Sequence, residues 1–195
     1  EMHAKKIAKI YDMAMKVGAP VVGLIDCAGL RLQEATDALN AFGEVYLKQT
    51  LASGVIPQIT AIFGTCGGGA ALIPTLTDFT FMTAEGGKLF VNSPNALDGN
   101  YQAKLDTASA AYLSENSSLV DGVFEDDATT LANIRSLVDM LPDNNMEDAE
   151  SDCTDDLNRI IPNLDGFAKD ARAVLQNIAD NNVFVEVKKD YAKDM

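Results

Sequence analysis

Two stretches of the chain join an apolar, strand-like run to a glycine-containing loop, and both could present backbone amides to a ligand. The first is GLID followed by CAGLRLQEA (residues 23–35), and the second is TAIF followed by GTCGGGAAL (residues 60–72). A glycine at such a junction leaves N–H groups uncovered, and a helix that starts there adds the positive end of its dipole. One such loop can hold a phosphate, and two adjacent loops can hold one developing oxyanion. Glycines at such junctions can also serve only to let a strand and a helix pack closely. The pattern alone leaves open whether these glycines bind a ligand or serve packing.

Other site chemistries find little support. Neither loop has the spaced glycines of a dinucleotide site or the Gly-Lys-Ser/Thr ending of a phosphate-binding P-loop. His3 is the only histidine, which argues against a histidine-dependent triad and a zinc site, so we expect no metal. The scattered Cys27, Cys66 and Cys153 indicate reduced thiols in a cytoplasmic protein. We expect the first two to be small buried side chains rather than nucleophiles, and Asp26 to order its loop rather than to catalyse.

The charge of −14 is unevenly distributed along the chain. Residues 1–75 carry six acidic and six basic side chains, whereas residues 76–195 carry 23 acidic and 9 basic ones. A negative electrostatic field disfavours binding to nucleic acids and to anionic membranes. A polyanionic ligand would approach the electrically neutral residues 1–75 more easily. No apolar run reaches the roughly 18–20 residues of a membrane span, and the charged start is unlike a secretory signal.

Hydrophobic periodicity predicts alternating helices and strands, which is typical of a layered α/β fold. The predicted helices cover residues 1–17, 36–53 and 128–141, with a shorter one at 70–76 and another around 168–179. The predicted strands cover residues 20–26, 55–63, 78–84, 88–92, 119–125 and 183–187. We expect the strands around 21–25 and 57–62 to be parallel neighbours, which would bring the two glycine loops together. The apolar face of the second helix comprises Leu39, Phe42, Val45, Tyr46 and Leu47. Asp126 or Asp127 is expected to cap the helix at 128–141, so that FEDDATT is a helix start rather than a metal site.

The chain resembles the carboxyltransferase subunits of biotin-dependent acyl-CoA carboxylases and decarboxylases, the family of propionyl-CoA carboxylase β and of methylmalonyl- and glutaconyl-CoA decarboxylase α. The resemblance is carried by EMHAKKIAKIYDMAMKVGAPVVGLIDCAGLRLQEA and LASGVIPQITAIFGTCGGGAALIPTLTDFTFM. It continues through LVDGVFEDDATTLANIRSLVDMLPDNN and resumes in DDLNRIIPNLDG and NNVFVEVKKDYAKDM. These motifs occur in the family's order over nearly the whole chain, so they are far more specific than one run of glycines.

This resemblance implies a crotonase/ClpP-like superhelix of ββα units. It identifies the chain as the N-terminal, acyl-CoA-binding half, truncated at its start and lacking the second domain that binds carboxybiotin. Residues 1–142 would be the incomplete domain, 143–156 an exposed acidic linker, and 157–195 a helix–strand segment leading to the missing domain. Biotin would arrive on a partner protein or domain. The active site would lie between protomers, so the implied partners are a biotin carboxyl carrier, a second carboxyltransferase domain or subunit, and further copies of the chain.

The family's oxyanion hole, carried over to this chain, consists of backbone N–H groups of Gly68, Gly69, Gly29 and Leu30. The residues implied to contact the acyl-CoA are Ala28, Arg31 and Gly67. Where the family's first loop usually reads Asp-Ser-Gly-Gly-Ala-Arg, this one reads DCAGLR, which keeps the backbone role and reshapes the acyl pocket. Arg31 either lines that pocket or pairs with Glu34, and the sequence leaves both open. The base implied by the family is the biotin ureido nitrogen.

Two other functions remain open at this stage. A crotonase-type enoyl-CoA hydratase or isomerase would need a carboxylate projected into the pocket as general acid or base, and neither loop offers an obvious one. A non-catalytic fragment, which folds and associates with itself but does no chemistry alone, would fit the truncation.

Overall fold

The structure is a computed structural model that describes residues 1–93, 106–147 and 175–176. The chain forms two compact units, Glu1–Ala149 and Glu150–Met195, and almost all described residues belong to the first. The helices of the first unit are α1 (Met2–Val17), α2 (Ala35–Ala52), α3 (Ala110–Asn116) and α4 (Asp127–Met140). The strands are β1 (Val21–Cys27), β2 (Gln58–Gly67), β3 (Phe79–Thr83), β4 (Lys88–Phe90) and β5 (Gly122–Phe124). Short 3₁₀ helices cover Leu32–Glu34, Gly68–Leu72 and Pro74–Leu76.

All pairs within the described sheet are parallel, in the order β1-β2-β3-β5. Strand β4 also pairs with β2, beyond the point where β3 ends. The two predicted strands are therefore parallel neighbours, as expected, and Val22 lies opposite Ile59. Because parallel strands end at the same edge of a sheet, the segments that follow β1 and β2 emerge side by side.

The sheet is covered on both faces, which explains why β2 is apolar along most of its length. On one face Ile25, Ile62 and Met82 are buried together with the 3₁₀ segment after β2. On the other face Ile59 and Phe81 pack against α4. Helices α1 and α2 pack on each other through small residues and a few larger ones, which are Ala4, Ala41 and Val45 in one cluster and Tyr11, Ala52 and Ile56 in another.

Strand β2 ends later than the sequence indicates. The apolar pattern predicts a strand over 55–63, but β2 continues through Gly64 to Gly67, the first part of the glycine loop. Backbone pairing on both sides explains the extension, since Cys66 lies opposite Cys27 of β1 and opposite Leu89 of β4. The expected helix at 70–76 is also divided into two 3₁₀ segments, with Pro74 at the start of the second.

Helix α2 buries only part of the predicted apolar face, in which Val45 is buried and Phe42 and Tyr46 are half-buried. Leu39 and Leu47 are exposed, at 61% and 57% of their surface, although both belong to the predicted apolar face. The fully buried positions are mostly small, namely Ala38, Ala41, Val45, Gln49 and Ala52. Small side chains let α2 approach α1 and the sheet closely, and this contact decides the face.

The start of α4 follows its predicted cap. The Asp126 carboxylate accepts a hydrogen bond from the Thr129 amide at 2.7 Å, so this acidic stretch begins a helix. After the helix, residues 143–147 are largely exposed. They are nevertheless attached to the fold, because the Asn144 side chain donates to the Gly18 carbonyl at 3.0 Å and the Asn145 amide donates to the Val55 carbonyl at 2.9 Å.

Several predictions fall on residues that the structure does not describe. Of the helix predicted around 168–179, only Leu175 and Gln176 are described, and both are helical. Residues 148–156 of the predicted linker, the strand at 183–187 and Cys153 lie outside the described residues, and the predicted domain boundaries remain predictions. Within the described ranges, no helix is both long and apolar enough to cross a membrane.

Candidate functional site

The two glycine loops meet at the carboxyl ends of β1 and β2. A Cβ atom built on Gly68 would lie 3.8 Å from the Gly29 Cα, and one built on Gly29 would lie 3.1 Å from the Gly67 carbonyl oxygen. This proximity confirms the expected juxtaposition, since loops more than about 15 Å apart could not donate hydrogen bonds to one atom. Backbone therefore faces backbone here, with no side chain between the loops.

Glycine is required at this contact for two separate reasons. Gly29 and Gly68 have φ values of +123° and +59°, which L-residues with a side chain rarely adopt. Gly67 is extended, but a Cβ there would lie 2.9 Å from both the Ala28 carbonyl oxygen and the Phe90 ring. Conformation thus explains the first two glycines, and close approach of neighbouring strands explains the third.

Asp26 joins the ends of the two strands. Its Oδ1 atom accepts a hydrogen bond from the Thr65 amide at 2.9 Å. A side chain at Gly64 would overlap the same carboxylate, so that glycine makes room for the contact. The observed role matches the expectation that Asp26 orders its loop.

The two cysteines beside the loops have different environments. Cys66 is fully buried, and its thiol donates to the Ala70 carbonyl at 3.3 Å. Burial raises the pKa of this thiol to about 12, with a smaller contribution from nearby Cys27. The expectation that both are buried is wrong for Cys27, which is exposed at the end of β1 and donates to the Gly29 carbonyl at 3.4 Å. Among the described strands β1 has a neighbour only on its β2 side, which leaves its last residue uncovered, whereas Cys66 lies between β1 and β4.

An aromatic pair on α2 supports the second loop. Phe42 and Tyr46 stack with ring centroids 5.9 Å apart and planes inclined by 23°. A Cβ on Gly69 would lie 3.0 Å from the Phe42 ring, and the Tyr46 hydroxyl donates to the Gly69 carbonyl. Burial raises the pKa of Tyr46, and nearby Cys66 adds to the shift, so the hydroxyl keeps its proton at neutral pH.

A largely apolar cavity of about 450 Å³ opens beside the first loop. Gly29, Leu30 and Arg31 line it, whereas Ala28, Gly67 and Gly68 adjoin Gly29 without forming part of its wall, and Gly69 lies against the Phe42 ring, which does line it. The cavity reaches the second loop at Ala70 and is bounded on its other sides by α1 and α2. The volume lies within the usual range for small-molecule sites, about 300–1,000 Å³.

Charged groups stand at the rim of this cavity. Arg31 pairs with Glu34 at 3.5 Å, and the Arg31 side chain is 74% exposed while it also lines the cavity. Arg31 therefore makes the expected pair with Glu34 while it also lines this cavity, and its contact with an acyl-CoA stays a prediction. His3 is exposed on α1 and also lines the cavity. Within residues 1–93 and 106–147, no three His, Cys, Asp or Glu side chains come together as metal ligands would.

A family model, described as the carboxyl transferase domain, matches residues 1–195. The chain belongs to this family. It is 41% identical to the methylmalonyl-CoA decarboxylase subunit alpha of Propionigenium modestum, and 40% identical to the propionyl-CoA carboxylase beta chain of Roseobacter denitrificans. Each alignment covers 100% of this chain and 40% of the relative. This chain thus spans about two fifths of the length of these relatives.

The fold of the domain agrees with this membership. A crystal structure of transcarboxylase 12S, a hexamer with hydrolysed methylmalonyl-CoA bound, superposes with a TM-score of 0.70 at 30% identity. The superposition covers 76% of this chain and 29% of that one. The expected crotonase-like α/β class is confirmed.

Sequence reasoning missed the part that Tyr46 plays next to the site. It assigned Tyr46 to an apolar helix face, but the hydroxyl contacts the second glycine loop of the carboxyl transferase domain. Phe42 and Tyr46 are one helical turn apart, so their side chains share a face. A tyrosine in such a stripe carries a polar end that must find a partner when buried, and this was the available signal.

Proposed function

We propose that this carboxyl transferase domain is the acyl-CoA-binding half of a biotin-dependent acyl-CoA carboxylase or decarboxylase. In this proposal the domain stabilises the enolate of the acyl thioester with backbone N–H groups from both glycine loops. The observation that carries the proposal is the close approach of the loops, with a Cβ on Gly68 only 3.8 Å from the Gly29 Cα. Family membership and the adjoining cavity support the same assignment.

The reaction explains why backbone donors suit this site. Moving a carboxyl group to or from the α-carbon of a thioester places negative charge on that carbon, and the charge delocalises onto the thioester oxygen. The assigned donors are the N–H groups of Gly68 and Gly69 from the second loop and of Gly29 and Leu30 from the first. Each donor that is fixed in place before the reaction stabilises such an oxyanion by about 3 kcal/mol.

The surroundings of the loops suit a CoA ester. Ala28, Arg31 and Gly67 are assigned to the substrate because they lie at or next to the cavity. An apolar cavity with an exposed arginine at its rim offers a place for the acyl chain and a cation for the anionic end of CoA. Residues 1–75, which form most of the site, carry no net charge, so they do not repel a polyanion.

We assign no residue of this chain to biotin. Biotin, carried on a partner protein or domain, would donate or accept the carboxyl group and provide its ureido nitrogen as the base. Its binding site would lie in a second carboxyltransferase domain or subunit, and the active enzyme would be a cytoplasmic oligomer. Positioning two reactants contributes about 7–11 kcal/mol to such a step. The chain alone would therefore bind the CoA ester without transferring the carboxyl group.

Calorimetry and a reconstituted assay test the proposal. The chain is titrated with propionyl-CoA and with free CoA, and is then incubated with propionyl-CoA and carboxybiotin, with and without a separately expressed second domain from a relative. We expect the chain to bind propionyl-CoA, and carboxylated product to form only with the second domain. Product formed by the chain alone at the full rate would show that the active site has been misplaced, and failure to bind any CoA ester would reject the proposal.

A hydratase or isomerase is less well supported by the arrangement of carboxylates. Three carboxylates line the cavity, but each has a partner: Glu1 pairs with Lys5, Asp26 accepts the Thr65 amide and Glu34 pairs with Arg31. A general acid or base needs a carboxylate free to reach the substrate. Incubation with crotonyl-CoA separates the two functions, since a hydratase would consume its double bond and the proposed function would not.

A further inference from the structure

A tyrosine hydroxyl from α2 reaches the backbone of the second glycine loop. Tyr46, on α2, donates a hydrogen bond to the carbonyl oxygen of Gly69. The side chain is held in this position by stacking on Phe42, whose ring also lies against Gly69. Helix α2 is thus connected to the loop by one polar contact and one aromatic contact, both at the same residue.

The orientation of the Gly69 carbonyl affects what the neighbouring amides can do. A peptide unit is planar, so fixing the direction of the Gly69 carbonyl also fixes the N–H of Ala70, which points the opposite way. Gly68 and Gly69 are consecutive glycines, and glycine reaches regions of φ/ψ space that are closed to other residues. Without the Tyr46 hydroxyl, only the weaker i→i+3 bonding of the 3₁₀ segment Gly68–Leu72 would hold this carbonyl, and the peptide could rotate and turn the negative end of its dipole toward the site.

We propose that Tyr46 is a positioning residue: its hydroxyl holds the Gly69 carbonyl on the α2 side and thereby keeps the negative end of the Gly69–Ala70 peptide away from the thioester oxygen that the Gly68 and Gly69 amides receive. This inference rests on the proposed function, because it presumes that the loop receives a thioester carbonyl. Tyr46 itself does not touch the substrate. Its effect reaches the substrate only through the conformation of the loop.

A Tyr46→Phe variant removes the hydroxyl and keeps the ring. The matched control is Tyr112→Phe on α3, a tyrosine that does not line the cavity. Two ligands are compared by calorimetry, propionyl-CoA and its thioether analogue S-propyl-CoA, which lacks the carbonyl oxygen. Infrared difference spectra of ¹³C-labelled propionyl-CoA report the polarisation of the bound carbonyl, which a purely structural change in stability would not alter.

We expect the wild-type chain to bind the thioester more tightly than the thioether and to shift the carbonyl stretch to lower frequency. Tyr46→Phe should lose about tenfold in this preference, as expected for one misdirected peptide dipole, and most of the frequency shift. Affinity for the thioether should stay within about twofold, and Tyr112→Phe should match the wild type in every measurement.

The outcomes separate the inference from the function on which it rests. A wild-type chain with neither thioester preference nor carbonyl shift would overturn both. A wild-type chain with both properties, combined with a Tyr46→Phe variant that retains them, would overturn the role of Tyr46 alone. If Tyr46→Phe does not fold, p-aminophenylalanine and 4-methylphenylalanine are introduced at position 46. These rings match in size, but only the first carries a donor, so equal spectra from the two would contradict the inference.

Discussion

Cys27 and Cys66 show how far neighbouring residues can differ in accessibility. They lie opposite each other on β1 and β2, yet Cys27 is exposed and Cys66 is buried. The register shifts between Ile25 and Cys27, where the edge strand ends, while β2 continues between two neighbours. Solvent and reagents therefore reach one thiol and not the other, although both are adjacent to the candidate site.

Alkylation should separate the two thiols. With iodoacetamide at about pH 8, where an ordinary thiol is partly ionised, we expect Cys27 to be modified and Cys66 to react at least about a hundredfold more slowly. Mass spectrometry of peptides taken at successive times measures both rates. In urea the two thiols should react alike, which serves as the control. Equal rates in the folded chain would show that the environment of Cys66 is open.

The buried thiol should also make stability depend on pH. The folded pKa of Cys66 is raised to about 12, mainly by burial, whereas an unfolded cysteine ionises near about 8.5. Above that lower value only the unfolded chain releases the proton, so the stabilisation is complete below about pH 8.5 and is lost as the pH rises toward 12. We expect a decrease in the free energy of unfolding that approaches about 1 kcal/mol per pH unit.

Urea unfolding at about pH 7.5, 9 and 10 measures this dependence in the wild type and in Cys66→Ala. The variant is less stable at every pH because it leaves a cavity, but its stability should decrease less steeply. The difference between the two curves isolates the thiol from the tyrosines that also titrate at high pH. Parallel curves would mean that Cys66 ionises with equal ease in the folded and unfolded chain.

At the scale of elements, glycine has opposite effects on a strand and on a helix. Gly67 ends β2 at a point where backbone from β1 and the Phe90 ring leave no room for a side chain. Gly43 lies within α2, and a Cβ there would meet nothing within 4 Å. The first glycine is required by packing, whereas the second only adds conformational freedom to the unfolded chain.

Alanine substitutions at these two positions should therefore change stability in opposite directions. We expect Gly67→Ala to lower the free energy of unfolding by about 1–3 kcal/mol, because the strands must separate to admit the methyl group. Gly43→Ala should raise it by about 0.5–1 kcal/mol. Chemical unfolding measures both, and Gly43→Ala is the control because it adds the same methyl group at a position that has room for it. A Gly67→Ala variant as stable as the wild type would show that the two loops are not in close contact.

The elements also show what could be predicted from the sequence. Apolar periodicity was sufficient to predict α1, α2, α4 and the strands, because these elements depend on the local pattern. The meeting of the two loops could also be predicted, because parallel strands end at the same edge of a sheet. The end of β2 was missed because pairing with β1 and β4 outweighs the low strand propensity of glycine. The buried face of α2 was predicted only in part, because close packing favours alanine over the larger Leu39 and Leu47.

The candidate site was only partly predictable for a related reason. The glycines and Asp26 stand in the loops themselves and could be found by reading along the chain. Tyr46 reaches Gly69 from 23 positions earlier, through a contact that exists only after α2 has packed against the loop. Spacing along the sequence carries no information about such a contact.

At the scale of the whole molecule, net charge and exposed apolar surface have opposing effects on association between copies of the chain. The net charge of −14 disfavours association between copies of the chain. Val22 and Leu24, however, lie 40% and 55% exposed on β1, whose outer edge pairs with no other strand among the described residues. An edge strand with uncovered apolar side chains is a surface on which another chain can pair.

We therefore expect concentration-dependent self-association that strengthens between about 0.01 M and about 0.15 M salt, as repulsion between copies is screened. Leu24→Lys should weaken it, because the charge would be buried in the contact. Leu39→Lys, at a position 61% exposed on α2, is the control and should leave it unchanged. Sedimentation velocity measures both variants, and a wild-type chain that stays monomeric at every concentration and salt would contradict this expectation.

The attachment of residues 143–147 has a mechanical consequence. Asn144 and Asn145 hold the chain to Gly18 and Val55, just before β1 and β2 begin, whereas the two glycine loops lie at the opposite ends of these strands. The strands separate the two places by roughly 20 Å at about 3.3 Å per residue. A pull transmitted along the chain from beyond Glu147 would be borne first by these two hydrogen bonds, at the end of the sheet remote from the loops.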